Sequence, residues 1–293
     1  MKKFINNYNL IETTTSMTNI TYLKSKFSHS EQELSISWHD EVEIIYILEG
    51  EGEFIIDGKE YKVRANSFIL LNPNQLHSAK AIIGRPITFE SIKFNYEMLL
   101  SVFPDSTSSD YILPLIENTR YLPNTILPIM PLHKEALSLF QMMADLWKDQ
   151  SSMKYILVKS YLLHLIYILY KNRYVYRKNK STLERQGTEI VRETIQYIHE
   201  HYSEDFNLDF MCVNLETSKP NLCRVFKRHT KKTITEFLNE YRIQIACDYL
   251  IHSTLDISDI AYKIGYNHLS YFNTRFKKNT LLTPQQFRTA YKK

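Results

Sequence analysis

Two periodicities divide this chain. Between residues 34 and 94 apolar residues come in short runs or alternate with polar ones. Val42–Leu48 (VEIIYIL) is a continuous apolar run rich in branched side chains. Glu53–Ile56 follows a Gly50-Glu51-Gly52 turn, and Asp57-Gly58 joins it to Glu60–Val63. Asp-Gly between such segments predicts a hairpin, because glycine takes a positive φ at no steric cost. Ser67–Leu71, ended by Asn72-Pro73, and Ile87–Phe94 read as further strands. Many short strands at close spacing predict a sandwich or barrel.

Past Pro104 the pattern changes. Pro114, Pro123, Pro128 and Pro131 punctuate a loop-rich stretch. His133–Lys148 then places Leu137, Phe140, Met143, Ala144 and Trp147 on one helix face. Met153–Lys171 predicts a second helix, apolar on more than one face, which must be buried or paired with a partner chain. Tyr174–Gly187 is polar and basic and reads as a linker. From Thr188 the pattern is helical almost to the end, with short helices and frequent breaks.

The last hundred residues contain a diverged repeat. Phe226-Lys227 pairs with Phe276-Lys277, Thr230 with Thr280, Thr233 with Thr283 and Phe237 with Phe287, all at one offset. Met211-Cys212 pairs with Ile260-Ala261 one residue closer, the difference falling in a turn. Each unit reads as a short helix, a tight turn and a second helix. In the second unit Asp256 is placed to cap, Gly265 to end the first helix in a left-handed conformation, and Leu269–Lys278 to form the second. Phe272 and Phe276 face inward, leaving Ser270, Tyr271, Thr274 and Lys278 outward with Arg275 at the margin. In the first unit Asn207 caps, Ser218 starts the second helix, and Leu222 and Phe226 pack inward. Pro220, Cys223, Arg224 and Lys227 are left outward. A helix fits the DNA major groove, where arginine can read guanine through two bonds. Lys227, Arg228, Lys277 and Lys278 would meet phosphates. Two such helices on one rigid chain can enter successive major grooves about 34 Å apart.

Charge agrees with that placement. The net charge is +4, but residues 1–170 carry 15 basic against 19 acidic side chains, residues 171–186 six against one, and residues 187–293 15 against 12. Any polyanion should therefore meet the C-terminal part. Composition, 44% hydrophobic and 23% charged, is that of a globular protein. Three cysteines (Cys212, Cys223, Cys247) at no metal-site spacing suit a reducing compartment. The N-terminus lacks the apolar stretch of a secretory signal, and Tyr155–Tyr170, interrupted by Lys159, Ser160 and His164, is too short to span a bilayer. A cytoplasmic location is expected, with no membrane partner.

Residues 206–292 resemble the DNA-binding domain of the AraC/XylS family of regulators. DIAYKIGYNHLSYFNTRFKKNTLLTPQQFR carries the family signature closely, and the first unit carries it more loosely. Cys212 stands where the family usually has Ala, Lys231 and Leu281 where it often has Gly, and Thr274 where a base-contacting Arg is frequent, with Arg275 beside it. The resemblance implies double-stranded DNA as partner and a contact set of Ser218, Lys219, Pro220, Asn221, Cys223, Arg224, Lys227 and Arg228 in the first unit. In the second unit the set is His268, Ser270, Tyr271, Thr274, Arg275, Lys277 and Lys278. RNA polymerase is a further candidate partner.

The segment SWHDEVEIIYILEGEGEFIIDGKEYKVRANSFILLNPNQLH resembles the cupin-type sensor domain found in many such regulators. Cupin enzymes usually hold a metal with two His and a Glu in one motif and a His in a second. Ser37 stands at the first His, and His39, Glu43 and His77 at the other positions. Positions 37, 39 and 43 share one strand face. Three ligands can hold a metal when water completes the site, but the missing His favours a small-molecule pocket, so no metal or cofactor is expected. Trp38, Tyr46, His39, Glu43 and His77 are the effector-pocket candidates, and a sugar is one ligand the resemblance suggests. Asn66 stands where Gly is usual, so a left-handed residue is expected there. The helices of 133–171 imply a homodimer, with Leu157, Leu162, Leu165, Ile166 and Leu169 across a two-fold axis, or else they only cover the barrel end.

The expected fold class is α+β in two domains. Residues 1–173 form a cupin-like β-barrel followed by helices, for effector sensing and dimerisation; 174–187 form the linker; 188–293 form an all-α domain with two helix-turn-helix units. The expected function is sequence-specific transcription regulation under a small-molecule effector, without catalysis. The rivals are a metal-dependent cupin enzyme and a protein-interaction module.

Overall fold

The computed structural model describes residues 15–17, 20–27, 33–82, 86–103, 105–147, 153–177 and 182–291. The chain divides into two compact units, residues 1–180 and 181–293.

The first unit is built on β1 (Thr15–Met17), β2 (Ile20–Phe27), β3 (Glu33–Ser37), β4 (Val42–Glu49), β5 (Glu51–Ile56), β6 (Lys59–Arg64), β7 (Phe68–Leu71), β8 (His77–Ala81) and β9 (Ile87–Phe94). A short helix, α1 (Leu113–Ile116), and the two-residue strands β10 (Arg120–Tyr121) and β11 (Thr125–Ile126) follow. Next come α2 (His133–Leu146), α3 (Lys154–Lys171) and β12 (Tyr176–Arg177). The strands form a six-stranded sheet in the order β1-β2-β9-β4-β7-β11 and a four-stranded sheet in the order β3-β8-β5-β6. The barrel expected from the sequence is thus a β-rich unit of two sheets, and no strand pairing joins them among the described residues.

Alternation along the strands explains the stacking. Ile45, Ile47, Ile69, Leu71, Ile87 and Phe89 of the larger sheet pack with Phe54, Ile56, Val63, Ala79 and Ala81 of the smaller one. The opposite parity (Ile44, Tyr46, Phe68, Leu70, Ile92 and Phe94) packs with α2 and α3. The central strand β4 is therefore covered on both faces, which is why it reads as a continuous apolar run. The Asp57-Gly58 hairpin forms as expected, with φ of 48° and 80°, and Asn66 is left-handed at 67°. β8 (HSAKA) carries no large apolar residue, so alternation did not reveal it; its alanines fill the space between the sheets.

The second unit comprises α4 (Thr182–His201), α5 (Leu208–Asn214), α6 (Lys219–Thr230), α7 (Ile234–His252), α8 (Ile257–Lys263), α9 (Leu269–Thr280) and α10 (Pro284–Tyr291). The stretch read as a linker, 174–187, differs from that reading at both ends. Tyr176 and Arg177 pair with Tyr121 and Arg120, and α4 begins at Thr182. Gly187, read as a breaker, lies inside α4, where a Cβ would stand 3.3 Å from both Val225 and Arg228. Its missing side chain admits the close approach of α6.

Candidate nucleic-acid interface and ligand site

The repeat holds at the level of single hydrogen bonds. The Thr230 hydroxyl donates to the Phe226 and Lys232 carbonyls, each at 2.9 Å. The Thr280 hydroxyl donates to those of Phe276 (2.9 Å) and Leu282 (3.0 Å). Phe226 meets Phe237 edge to face at 5.6 Å, as Phe276 meets Phe287 at 5.5 Å. Thr233 caps α7 in a box with Glu236, and the Thr283 hydroxyl accepts from the Gln286 amide at 3.2 Å. Both second helices end on a left-handed residue, Lys231 at φ 60° and Leu281 at 63°. Asn207 caps α5 through the amides of Asp209 and Phe210. Ser218 caps α6, while Asp256 stands at the N-cap of α8 without a side-chain capping bond.

The spacing of the apolar residues sets which face each helix shows. Leu222, Val225 and Phe226 of α6 and Phe272 and Phe276 of α9 are buried. Ser218, Lys219, Pro220, Cys223, Arg224, Lys227 and Arg228 are exposed, as are His268, Ser270, Tyr271, Thr274, Lys277 and Lys278; Asn221 and Arg275 are half-buried. Two arginines are held in place before any ligand arrives. Arg224 donates to the Asn221 Oδ1 at 2.8 Å. Arg275 donates through Nε to the Tyr271 hydroxyl at 2.9 Å, its guanidinium 5.2 Å from that ring. The sequence placed Arg275 at the margin; Tyr271 turns it outward.

In the first unit the polar residues gather between the sheets. Glu43, on the inward parity of β4, sits opposite Lys93 of β9, with Lys93 Nζ 3.4 Å from its Oε2. His39 Nε2 lies 3.1 Å from the same oxygen, and His39 Nδ1 2.9 Å from the Glu41 carbonyl. His77 places Nδ1 2.9 Å from the Gln75 carbonyl and Nε2 3.1 Å from Ser37 Oγ. The two imidazoles meet edge to face at 4.9 Å. Burial by itself would raise the Glu43 carboxyl, but Lys93 and the two histidines hold it well below the usual carboxylate range. Burial, with His39 nearby, pushes His77 down to about 4, so it is neutral at physiological pH.

The structure therefore brings Ser37, His39, Glu43 and His77 together and leaves Tyr46 out. Tyr46 has the opposite parity, packs on Phe68 and Phe140, and donates to Asn66 Oδ1 at 2.7 Å. Trp38 is half-buried in the loop between β3 and β4. Lys93 belongs to the cluster and was not anticipated. Ser91 and Ser25, on the same inward face, have buried hydroxyls without a hydrogen-bond partner. Polar residues at the inward positions of apolar strands were the available signal for all three. A correction concerns α3. Leu162, Leu165, Ile166 and Leu169 are 0–4% exposed in the unit's own core, so they cannot meet a second chain. They face α2 and the sheet, and the stripe left exposed is Ile156, Leu157, Ser160, His164 and Tyr167.

A two-sheet sensor-like unit followed by a tandem helix-turn-helix unit defines a class of transcription regulator, and comparison with known proteins agrees. The family profile of the AraC-like ligand binding domain matches residues 29–166, and that of a helix-turn-helix domain matches residues 211–290. An uncharacterized HTH-type transcriptional regulator, YdeC of Bacillus subtilis, is 25% identical over 87% of this chain and 86% of its own length. An HTH-type regulator from the cgkA 5′ region of Pseudoalteromonas carrageenovora is 34% identical over 39% of this chain and 68% of its own. The lactose operon transcription activator of Staphylococcus xylosus is 22% identical over 83% and 81%. The chain belongs to the AraC family of transcription regulators: it pairs an N-terminal ligand-binding domain with a C-terminal DNA-binding helix-turn-helix domain. No helix among the described residues is long and apolar enough to cross a membrane.

Proposed function

We propose that α6 and α9 read two adjacent major-groove segments of one operator, and that a small effector bound between the sheets of the first unit controls that binding. The observation that carries the reading is the matched pair of helix-turn-helix units, each turning a basic, polar helix face to solvent. Arg224 and Arg275 are the base readers, Asn221, Ser270, Tyr271 and Thr274 flank them, and Lys219, Lys227, Arg228, Lys277 and Lys278 hold phosphates. Ser218, Pro220, Cys223 and His268 line the helix starts and outer faces. The first unit is the sensor and the second the reader, in the cytoplasm, with RNA polymerase as the downstream partner.

The effector site is centred on His39, Glu43 and His77, with Ser37 and Lys93 beside them. A sugar is the effector class we favour: the site offers clustered donors and acceptors, and one relative regulates a lactose operon by name. Trp38 is the residue available for stacking, whereas Tyr46 supports the wall from behind. An effector shifts DNA affinity only through unequal affinity for two states of the protein. Two chains pair through the exposed stripe of α3, where Ile156 is 72% and Tyr167 56% exposed. Ile156→Asp with Tyr167→Asp should yield monomers in sedimentation analysis. The deciding experiment is selection from a random duplex pool at fixed salt of about 150 mM, since affinity without stated salt has no meaning. Two short blocks about one helical turn apart support the reading. No enrichment with or without candidate sugars, from the full chain or from residues 181–293, refutes it.

A further inference from the structure

We propose that Gln75 is the positioning residue that carries a change at the His39–Glu43–His77 cluster to β12, the last strand of the first unit before the DNA-reading unit. The inference deepens the reading of that cluster as the effector site and rests on it, but not on the effector being a sugar.

The turn of residues 72–76 stands between the cluster and the segment of residues 120–126. On the cluster side, the Gln75 carbonyl lies 2.9 Å from His77 Nδ1, and the Asn74 amide donates to the His39 carbonyl at 2.7 Å. A carbonyl only accepts, so His77 carries a proton on Nδ1 and its ring hangs from this turn. On the other side, Gln75 Oε1 accepts from the Asn72 amide at 2.8 Å and from Asn124 Nδ2 at 2.7 Å. Asn124 Nδ2 also donates to the Leu70 carbonyl at 2.9 Å. Asn72 Oδ1 accepts from the Leu122 amide at 2.7 Å, and Asn72 Nδ2 donates to the Leu122 carbonyl at 3.0 Å. Each of the three side-chain amides thus has a main-chain partner that can only donate or only accept, which fixes its orientation. Asn72 is 5% exposed, so losing these bonds strands buried polar groups.

Leu122 directly follows β10, and β10 holds β12 by pairing Arg120 with Arg177 and Tyr121 with Tyr176. The Tyr121 and Tyr176 rings stand 5.9 Å apart. β12 is two residues long and both are exposed, so it can open locally while the sheets stay folded. Coupling needs an element with two states that both sites bias, and β12, held or released, is that element. Pro73 fixes a backbone angle of the turn and Asn74 is left-handed at φ 63°, so the turn moves as one piece. A ligand bonded to His77 Nε2 re-aims the ring about its Nδ1 bond and shifts the turn. Gln75 and Asn72 pass that shift to Asn124 and Leu122, and so to the strand that leads into α4.

The test uses the full chain and two readouts. Hydrogen exchange read by mass spectrometry follows residues 119–126 and 174–177. Gln75→Met removes the accepting oxygen at similar size and should speed exchange in both segments roughly fivefold or more, with residues 20–27 unchanged as the check on folding. The same variant should shift affinity for the selected operator at least about fivefold, although Gln75 lies in the other unit from every DNA-facing residue. Arg120→Cys with Arg177→Cys, oxidised by glutathione disulfide, locks β12 onto β10; wild type given the same oxidant controls for the three native cysteines. In the locked protein Gln75→Met should leave operator affinity unchanged, and reductant should restore the shift. Unaltered exchange in residues 174–177 overturns the proposal without any DNA being used. So does an operator shift that persists in the locked protein, or exchange that responds while operator affinity does not. Lactose acting on operator binding as strongly in the locked protein as in wild type would keep the effector reading and remove this route.

Discussion

Gly265→Ala probes how the second helix-turn-helix is held. Gly265 ends α8 at φ +88°, and a Cβ there would stand 2.7 Å from both the Ser203 carbonyl oxygen and Arg242 Nη2. The left-handed backbone alone costs an L-residue about 1–2 kcal/mol. The clash adds to this, because Arg242 is committed. Its Nε donates to the Tyr202 carbonyl at 2.6 Å, its Nη2 to that of Glu204 at 2.9 Å, and its guanidinium lies 5.5 Å from the Tyr266 ring. Displacing it sacrifices a charge-assisted bond worth about 1.5–3 kcal/mol. Fewer unfolded conformations return roughly 0.4–1 kcal/mol. The net loss expected is about 2–4 kcal/mol. Urea unfolding followed by circular dichroism reads it, alongside operator binding. Gly265→Asn should lose less backbone energy, because Asn tolerates this region. Gly265→Ala combined with Arg242→Met should cost less than the sum of the two, since both remove one set of bonds. A loss under about 1 kcal/mol, or full additivity, would show that the tie between Arg242 and this turn does not support the fold.

Arg224→Ala should weaken specific operator binding by roughly 1–3 kcal/mol and relax one base position, read by competition titration against single-base operator variants. Unchanged specificity would mean that α6 faces DNA differently. Lys277→Ala should weaken binding to all sequences alike and lower the salt slope by about 1, read from affinity across a salt series. His199 is held down to about 4 by burial, stacked on Tyr241 at 4.3 Å. The unfolded chain, with a pKa near 6.5, then binds more protons than the folded one between about pH 6.5 and 4, so this group makes stability fall as pH falls through that window. His199→Gln should flatten that part of the pH–stability curve; an unaltered slope would place the titration elsewhere.

The tandem reader was legible because its signals are local. Phe272 and Phe276 are four apart and both buried, Asn207 and Ser218 cap as their types suggest, and Gly265 and Asn66 take the left-handed conformations expected of them. Repetition strengthened the reading, since Thr230 and Thr280 make the same two hydrogen bonds. Where two local signals conflicted, the reading failed. Gly187 among polar residues signals a break, yet α4 runs through it because α6 packs against its bare backbone. The continuous apolarity of α3 similarly left its partner open between a second chain and its own core.

What the sequence by itself determined is the central strands and hairpin of the first unit, the two-part organisation and the outward face of each recognition helix. Those follow from periodicity, capping and turn chemistry within a few residues. What only the tertiary structure decided is which polar groups converge. His39, His77 and Lys93 reach Glu43 because β4 lies beside β9 and β8 stacks in the facing sheet. Tyr46 leaves the cluster for the opposite reason, since one residue of parity turns a side chain to the other face. Strand pairing joins positions dozens of residues apart, and no local pattern records which pairs will meet.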